Sequence, residues 1–292
     1  MQLFQARSRR TGQWVTEIAA LVGLLIYVGI VELIVASANP QLEGFALVGT
    51  SIVLAVIPAA LWLFLFYIQD REEPEPTVYV LLMAVLGGLL AASIGQPLIN
   101  GFFRAPEWLG SSLLTNILGS ILVVGFIQEF LKYAGIRFSM YYSSEFDQRM
   151  DGVIYGTAIG LGYGTMVNIL TVINSGGVNL GVGVIQIVVT ALVAGSLGGF
   201  TGYFLGRNKM DAMPVWWMPV GVTISATLNG LFTWLSSEIT RAPITVSSGQ
   251  ATGGYNPWPA LIAAIVLALL LLAGIFALIR SNNKADEGYG TV

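Results

Sequence analysis

Apolar residues in this chain run continuously for about 20 positions at a time, broken by short polar stretches and with no strict alternation. Eight such runs stand out, at roughly 15–37, 45–68, 78–98, 113–140, 150–173, 181–205, 214–237 and 257–279. A bilayer core of ~30 Å is crossed by about 20 helical residues, so the pattern predicts an all-α, polytopic membrane protein of about eight transmembrane helices. Continuous runs favour helices over a barrel, whose strands would alternate. Every connection is short, which predicts one transmembrane helical domain over 1–280 and a polar C-terminal tail over 281–292. The longest loop, Glu238 to Pro257, is polar and Gly-rich and falls on the outer side.

Charge gives the orientation. Arg7, Arg9, Arg10, Arg71, Lys132, Arg137, Arg149, Arg207, Lys209, Arg280 and Lys284 fall on one side of an eight-span chain, and only Arg104 and Arg241 on the other. That bias places both termini in the cytoplasm of a multi-pass protein of the cell membrane. Trp14, Trp108, Trp216, Trp217, Trp234 and Trp258 lie near span ends, as an interfacial belt requires. The first run resembles a signal peptide in outline, but it is too long for an h-region and carries Glu17 and Glu32, so it reads as a span. Charged residues are 10% of the chain, against about 25% in soluble domains. The net charge of −3, with scattered basic residues, predicts no nucleic-acid partner. Membrane lipid is the expected surrounding, and the absence of Cys excludes disulfides and thiolate chemistry.

A few polar groups interrupt the spans. Gln128, Glu129 and Lys132 lie on the fourth and Asn168 on the fifth, and a charged side chain there costs roughly 2.5 to 3.5 kcal/mol on insertion scales. For Gln128 and Asn168 the plain explanation is interhelical hydrogen bonding, worth ~0.6 kcal/mol. For Glu129 and Lys132 a functional role and a structural relic stand level. Glu32 reads as interfacial, and Asp151 suits a helix N-terminus, where negative charge meets the positive dipole end. Gly156, Gly160 and Gly164 on the fifth span, and Gly195 and Gly199 with Gly198, Gly202 and Gly206 on the sixth, are spaced for close helix packing. After the second span, Asp70, Glu72, Glu73 and Glu75 alternate with Pro74 and Pro76 in a rigid acidic turn on the cytoplasmic side.

Three stretches together resemble the PrsW family of intramembrane metalloproteases, membrane proteins named for cleaving an anti-sigma factor. The turn Asp70-Arg71-Glu72-Glu73-Pro74-Glu75-Pro76 looks like that family's D-x-x-E-P-E-P segment. Gln128-Glu129-Phe130-Leu131-Lys132 resembles its E-E-x-x-K motif. The run Asp151 to Gly156, continuing through Gly160-Leu161-Gly162-Tyr163, is similar to the stretch before its second glutamate. The resemblance is strongest between residues 45 and 238. It implies site positions at Gln128 and Glu129, at Asn168 in place of the second glutamate, at Thr190 in place of a histidine, and at Asn229 in place of the last motif's histidine.

The resemblance implies zinc, yet the donor set argues against it. A catalytic zinc takes three protein ligands, normally imidazole or carboxylate, and an open position for water. The chain has no His at all, Glu129 is the one carboxylate well inside the span region, and amide or hydroxyl oxygens are poor zinc ligands. No metal or other cofactor is therefore expected. At 1.5 Å per residue Asn168, Thr190 and Asn229 lie roughly 8 to 13 Å from the outer ends of their spans and Glu129 roughly 18 Å in, so a shared polar plug is expected. In it Glu129 is either paired with Lys132 or protonated. Three functions compete. The first is a catalytically inactive family member that binds other membrane proteins as a subunit or adaptor. The second is an active metallopeptidase with an atypical site. The third is an ion-linked or proton-linked carrier using Glu129.

Overall fold

The computed structural model describes residues 2–38, 40–69, 76–211, 213–240, 245–247, 250–252 and 254–289, with side chains over 18–38, 40–65, 76–211, 213–240 and 254–278. Asp70, Glu73 and Glu75 of the acidic turn lie outside the described residues, as do the side chains of the tail.

The apolar runs fold as eight long helices. They are α1 (Gln2–Ala38), α2 (Gly44–Gln69), α3 (Thr77–Leu90 with π-helical extensions Ala91–Gly95 and Pro97–Phe102) and α4 (Leu113–Gly119 and Phe126–Ser139 joined by the π-helical Ser120–Gly125). α5 (Arg149–Ser175), α6 (Leu180–Met210), α7 (Trp217–Ile239) and α8 (Trp258–Tyr289) follow. Seven of them contain a segment long and apolar enough to cross a membrane. α7 is the exception: its 23 residues would span, but Thr223, Ser225, Thr227, Asn229 and Thr233 dilute its hydropathy. The protein is thus an all-α, multi-pass membrane protein. A short ribbon, β1 (Thr245–Ser247) with β2 (Gln250–Thr252), decorates the outer loop, and the helical backbone of α8 runs on through the polar tail to Tyr289.

Sixty-one and 67% of the apolar windows of α5 and α6 are buried within the protein, against 28% for α1, α2, α4 and α8, which makes these two helices the axis of the bundle. Glycine explains their position. A Cβ on Gly152, Gly156 or Gly160 of α5 would overlap the carbonyl oxygens of Gly202, Gly198 and Ala194 on α6. On its other side α5 presents Gly162 to the Ala84 carbonyl of α3, while Gly87 of α3 takes the Ile159 carbonyl. Backbones can approach this closely only where side chains are missing, and dispersion over the shared surface then holds the helices together in lipid. Gly195 and Gly199 serve differently: they face the side chains of Leu161 and Trp62, and of Thr157 and Val153.

Short polar devices fix the ends. Asp151 Oδ2 accepts the backbone N–H groups of Asp147 (2.8 Å) and Gln148 (2.6 Å) and closes a capping box at the start of α5. Asn179 caps α6 through Gly181 and Val182, and the half-buried Glu32 carboxylate lies beside Gly181 in that first turn. In the outer loop, the Tyr255 hydroxyl donates to Gln186 Oε1 of α6 at 2.5 Å, and burial raises its phenol above the ordinary tyrosine range.

Candidate functional site

The polar residues of α4 and α7 meet because these helices touch backbone to backbone just above them. Gly125 of α4 sits against the Ala226 carbonyl of α7, and Gly230 of α7 sits against Ile121 and Ser120 of α4. The contact falls on the π-helical turn Ser120–Gly125, an irregularity of the kind found at functional sites. One turn past Gly125, Glu129 is carried inward, and Asn229, next to Gly230, faces it.

Glu129 is fully buried and Lys132 is 1% exposed. The Lys132 ammonium lies 2.6 Å from Glu129 Oε1 and 3.4 Å from the Ala194 carbonyl of α6. That carbonyl is the one Gly160 packs against, so the ion pair is docked on the central helix crossing. Asn229 Nδ2 donates to Glu129 Oε1 at 2.5 Å and to Gln128 Oε1 at 3.1 Å, and the Thr233 hydroxyl reaches Asn229 Oδ1 at 3.5 Å. Both charges are therefore removed from water and offset each other. A buried pair of this kind is costly to assemble, and removing one partner costs about 3–5 kcal/mol because the other charge is stranded.

Of the sequence-predicted positions, Gln128, Glu129, Lys132 and Asn229 come together. Asn168 and Thr190 do not join them: Asn168 Nδ2 donates across to the Ile187 carbonyl of α6 (3.1 Å), and the Thr190 hydroxyl donates within its own helix to Gln186 (3.0 Å). The pairing on α4 is i to i+3, Glu129 with Lys132, while Gln128 turns to α7. Because Lys132 is buried, it does not belong to the basic surplus that the sequence places on one face; without it the bias is still ten against two.

One participant is not a polar interruption and so escapes the sequence pattern. Tyr163 of α5 is 1% exposed, and its hydroxyl is pressed against Gly95 in the π-helical part of α3. Neither that hydroxyl nor Glu129 Oε2 has a hydrogen-bond partner, and the phenol lies within reach of the Glu129 charge. The signal available beforehand was a bulky tyrosine standing between Gly162 and Gly164.

The donor set does not fit a catalytic zinc. Among the described residues no three His, Cys, Asp or Glu gather. Glu129 Oε1 is already shared by an ammonium and an amide N–H, both of which donate hydrogen bonds and hold positions where a cation would have to approach. One free carboxylate oxygen, Oε2, is left.

Comparison with known proteins sets this geometry in context. The family described as PrsW family intramembrane metalloprotease matches residues 75–270, starting later and ending further on than the 45–238 suggested by the motifs. Protease PrsW of Bacillus subtilis (strain 168) is 28% identical over 192 residues, covering 64% of this chain and 82% of that protein. Protease PrsW of Halalkalibacterium halodurans is 28% identical over 183 residues, covering 61% and 79%. Protease PrsW of Geobacillus kaustophilus is 26% identical over 181 residues, covering 62% and 76%. No solved structure is significantly similar. With a match across most of its length and the Glu129–Lys132 pair standing where that family carries E-E-x-x-K, the chain belongs to the PrsW family of intramembrane metalloproteases.

Proposed function

We propose that this protein is a catalytically inactive member of its family that binds other membrane proteins, as a subunit or adaptor of a membrane complex. The observation that carries this reading is the state of Glu129: Oε1 accepts from both Lys132 and Asn229, the chain has no imidazole, and among the described residues no three metal-ligating side chains gather. A carboxylate so engaged has one oxygen left, whereas a catalytic zinc needs about three protein ligands and a separate acceptor for its water's proton. What the cluster can do is fix the seam between α4, α6 and α7. A protease fold that already admits a partner helix retains a use for that seam without hydrolysis.

A second reading, an active metallopeptidase with an atypical site, has two points in its favour: the free Oε2 of Glu129, and relatives named as proteases. Two measurements separate the readings. Purified in a mild detergent, the full chain is expected to hold far less than one zinc per molecule and to retain a membrane partner in fixed ratio. E129Q is expected to lower stability or partner retention and to leave any background peptide cleavage unchanged. One zinc per chain, or a defined cleavage abolished by E129Q, would overturn the proposal, and a lone monomer in gentle detergent would count against the adaptor role.

A further inference from the structure

On the face of the bundle that carries the basic surplus, α4 ends, the chain turns through residues 140–148, α5 begins and α6 finishes. Among the described residues four cations gather there, and three are balanced. Arg149 Nη2 and Arg207 Nε donate to the two oxygens of Asp211, at 2.6 and 3.1 Å. Lys209 donates to the Ser143 carbonyl at 2.9 Å and feels the charges of Asp147 and Asp151.

Arg137, in the last turn of α4, is different. Its guanidinium carbon lies 3.8 Å from the ring centroid of Tyr141 and 5.1 Å from that of Tyr142, so two aromatic faces hold it. No carboxylate reaches it among the described residues, and its enclosed Nη1 has no acceptor. Aromatic faces stabilise the charge but leave the five N–H donors of a guanidinium without good acceptors. The residue is only half-buried. Its neighbours there are apolar and exposed: Phe138 is 80% and Tyr142 74% exposed. Large exposed aromatics beside a cation, at the end of a membrane-crossing helix, mark the depth of the headgroups.

We infer that Arg137 binds the phosphate of an anionic phospholipid headgroup, held on the Tyr141–Tyr142 rings with Phe138 in the glycerol and upper acyl region. A planar guanidinium takes two phosphate oxygens at once, and one already fixed between rings loses little freedom in doing so. Anionic lipid of the cytoplasmic leaflet is the anion met at highest local concentration at this depth. The site is separate from the Glu129 cluster and does not depend on what that cluster does.

The test uses the full chain in detergent with added dioleoylphosphatidylglycerol, dioleoylphosphatidylcholine or inorganic phosphate, read by native mass spectrometry and thermal shift. Phosphatidylglycerol is expected to bind and to raise the melting temperature, with phosphatidylcholine much weaker. R137Q is expected to lose about fivefold in affinity for phosphatidylglycerol, R137K less, and R104Q, on the opposite face, nothing. Should R137Q not fold, Y142A keeps the charge and removes one ring, and a loss of about twofold is expected. Undiminished phosphatidylglycerol binding in R137Q or in Y142A, equal binding of phosphatidylcholine, or full replacement of the lipid by free phosphate would overturn the assignment.

Discussion

Two interfaces carry this bundle, and they are built on opposite terms. Between α5 and α6 the contact is backbone on backbone: the Cβ positions of Gly152, Gly156, Gly160 and Gly202 are occupied by carbonyls of the facing helix, leaving no room for another atom. Between α4 and α7 the contact narrows to Gly125 and Gly230 and then opens onto buried polar side chains, one of whose oxygens, Glu129 Oε2, is unpartnered. The first interface depends on shape along its length, with polar links such as Asn168 to the Ile187 carbonyl and Arg149 to Asp211 outside the glycine contacts. The second has chemistry and keeps slack. A family fold can therefore persist while its polar centre changes composition, because the scaffold that positions the centre is specified elsewhere.

The sharpest way to break this contrast is to add one carbon where backbones meet. G162A and G202A place a Cβ on the Ala84 and Gly152 carbonyls, and neither backbone can yield without moving a whole helix. Overpacking costs about 1–3 kcal/mol where side chains can adjust, and the upper end or beyond is expected here. The control is G29A on α1, where nothing stands within 4 Å and a change of no more than about 1 kcal/mol is expected. Unfolding in a denaturing detergent reads both. Equal effects at Gly202 and Gly29 would mean that the crossing of α5 and α6 is not held by close approach, and equal effects at Gly162 and Gly29 would say the same of α5 and α3.

The same contrast explains what could be seen in the sequence. Helix number followed from the apolar runs, because lipid leaves a spanning segment little choice but to satisfy its own backbone. The crossing followed from glycine spacing, although only Gly198, Gly202 and Gly206 of α6 meet the α5 backbone, while Gly195 and Gly199 meet side chains. The polar positions along the spans were legible too. Azimuth was not. Asn168 and Thr190 bond to Ile187 and Gln186 instead of joining Glu129, since a small error in helix rotation decides which neighbour a side chain addresses. The π-helical turns in α3 and α4 add to that rotation. The pairing of Glu129 with Lys132 was among the states expected, whereas Tyr163, a bulky apolar-faced residue between glycines, gave no polar signal beforehand.

A second experiment sharpens the polar side. K132M strands the Glu129 carboxylate and E129Q strands the Lys132 ammonium, each at an expected cost of about 3–5 kcal/mol. The double variant removes both charges and fills the same space, so it should cost less than either single change. Detergent unfolding of the three variants gives the coupling directly. Costs that simply add would mean that the two charges do not depend on each other, and the seam would then rest on packing alone, like the crossing of α5 and α6.

The smallest effect discriminates within the centre itself. Asn229 donates to a charged carboxylate and to Gln128 while accepting from Thr233, whereas Asn168 makes one bond to a backbone carbonyl. Hydrogen bonds to charged groups are worth about 1.5–3 kcal/mol, and neutral interhelical bonds in membranes average ~0.6 kcal/mol. N229A is therefore expected to cost about 2 kcal/mol and N168A about 0.6 kcal/mol, measured in the same unfolding assay. Combining N229A with E129Q should lose less than the two apart, because the amide's chief acceptor has already changed; N168A with E129Q should add. The reverse order, or coupling at Asn168 instead of Asn229, would place the polar centre between α5 and α6 and remove the distinction between a tight crossing and a chemically loaded seam.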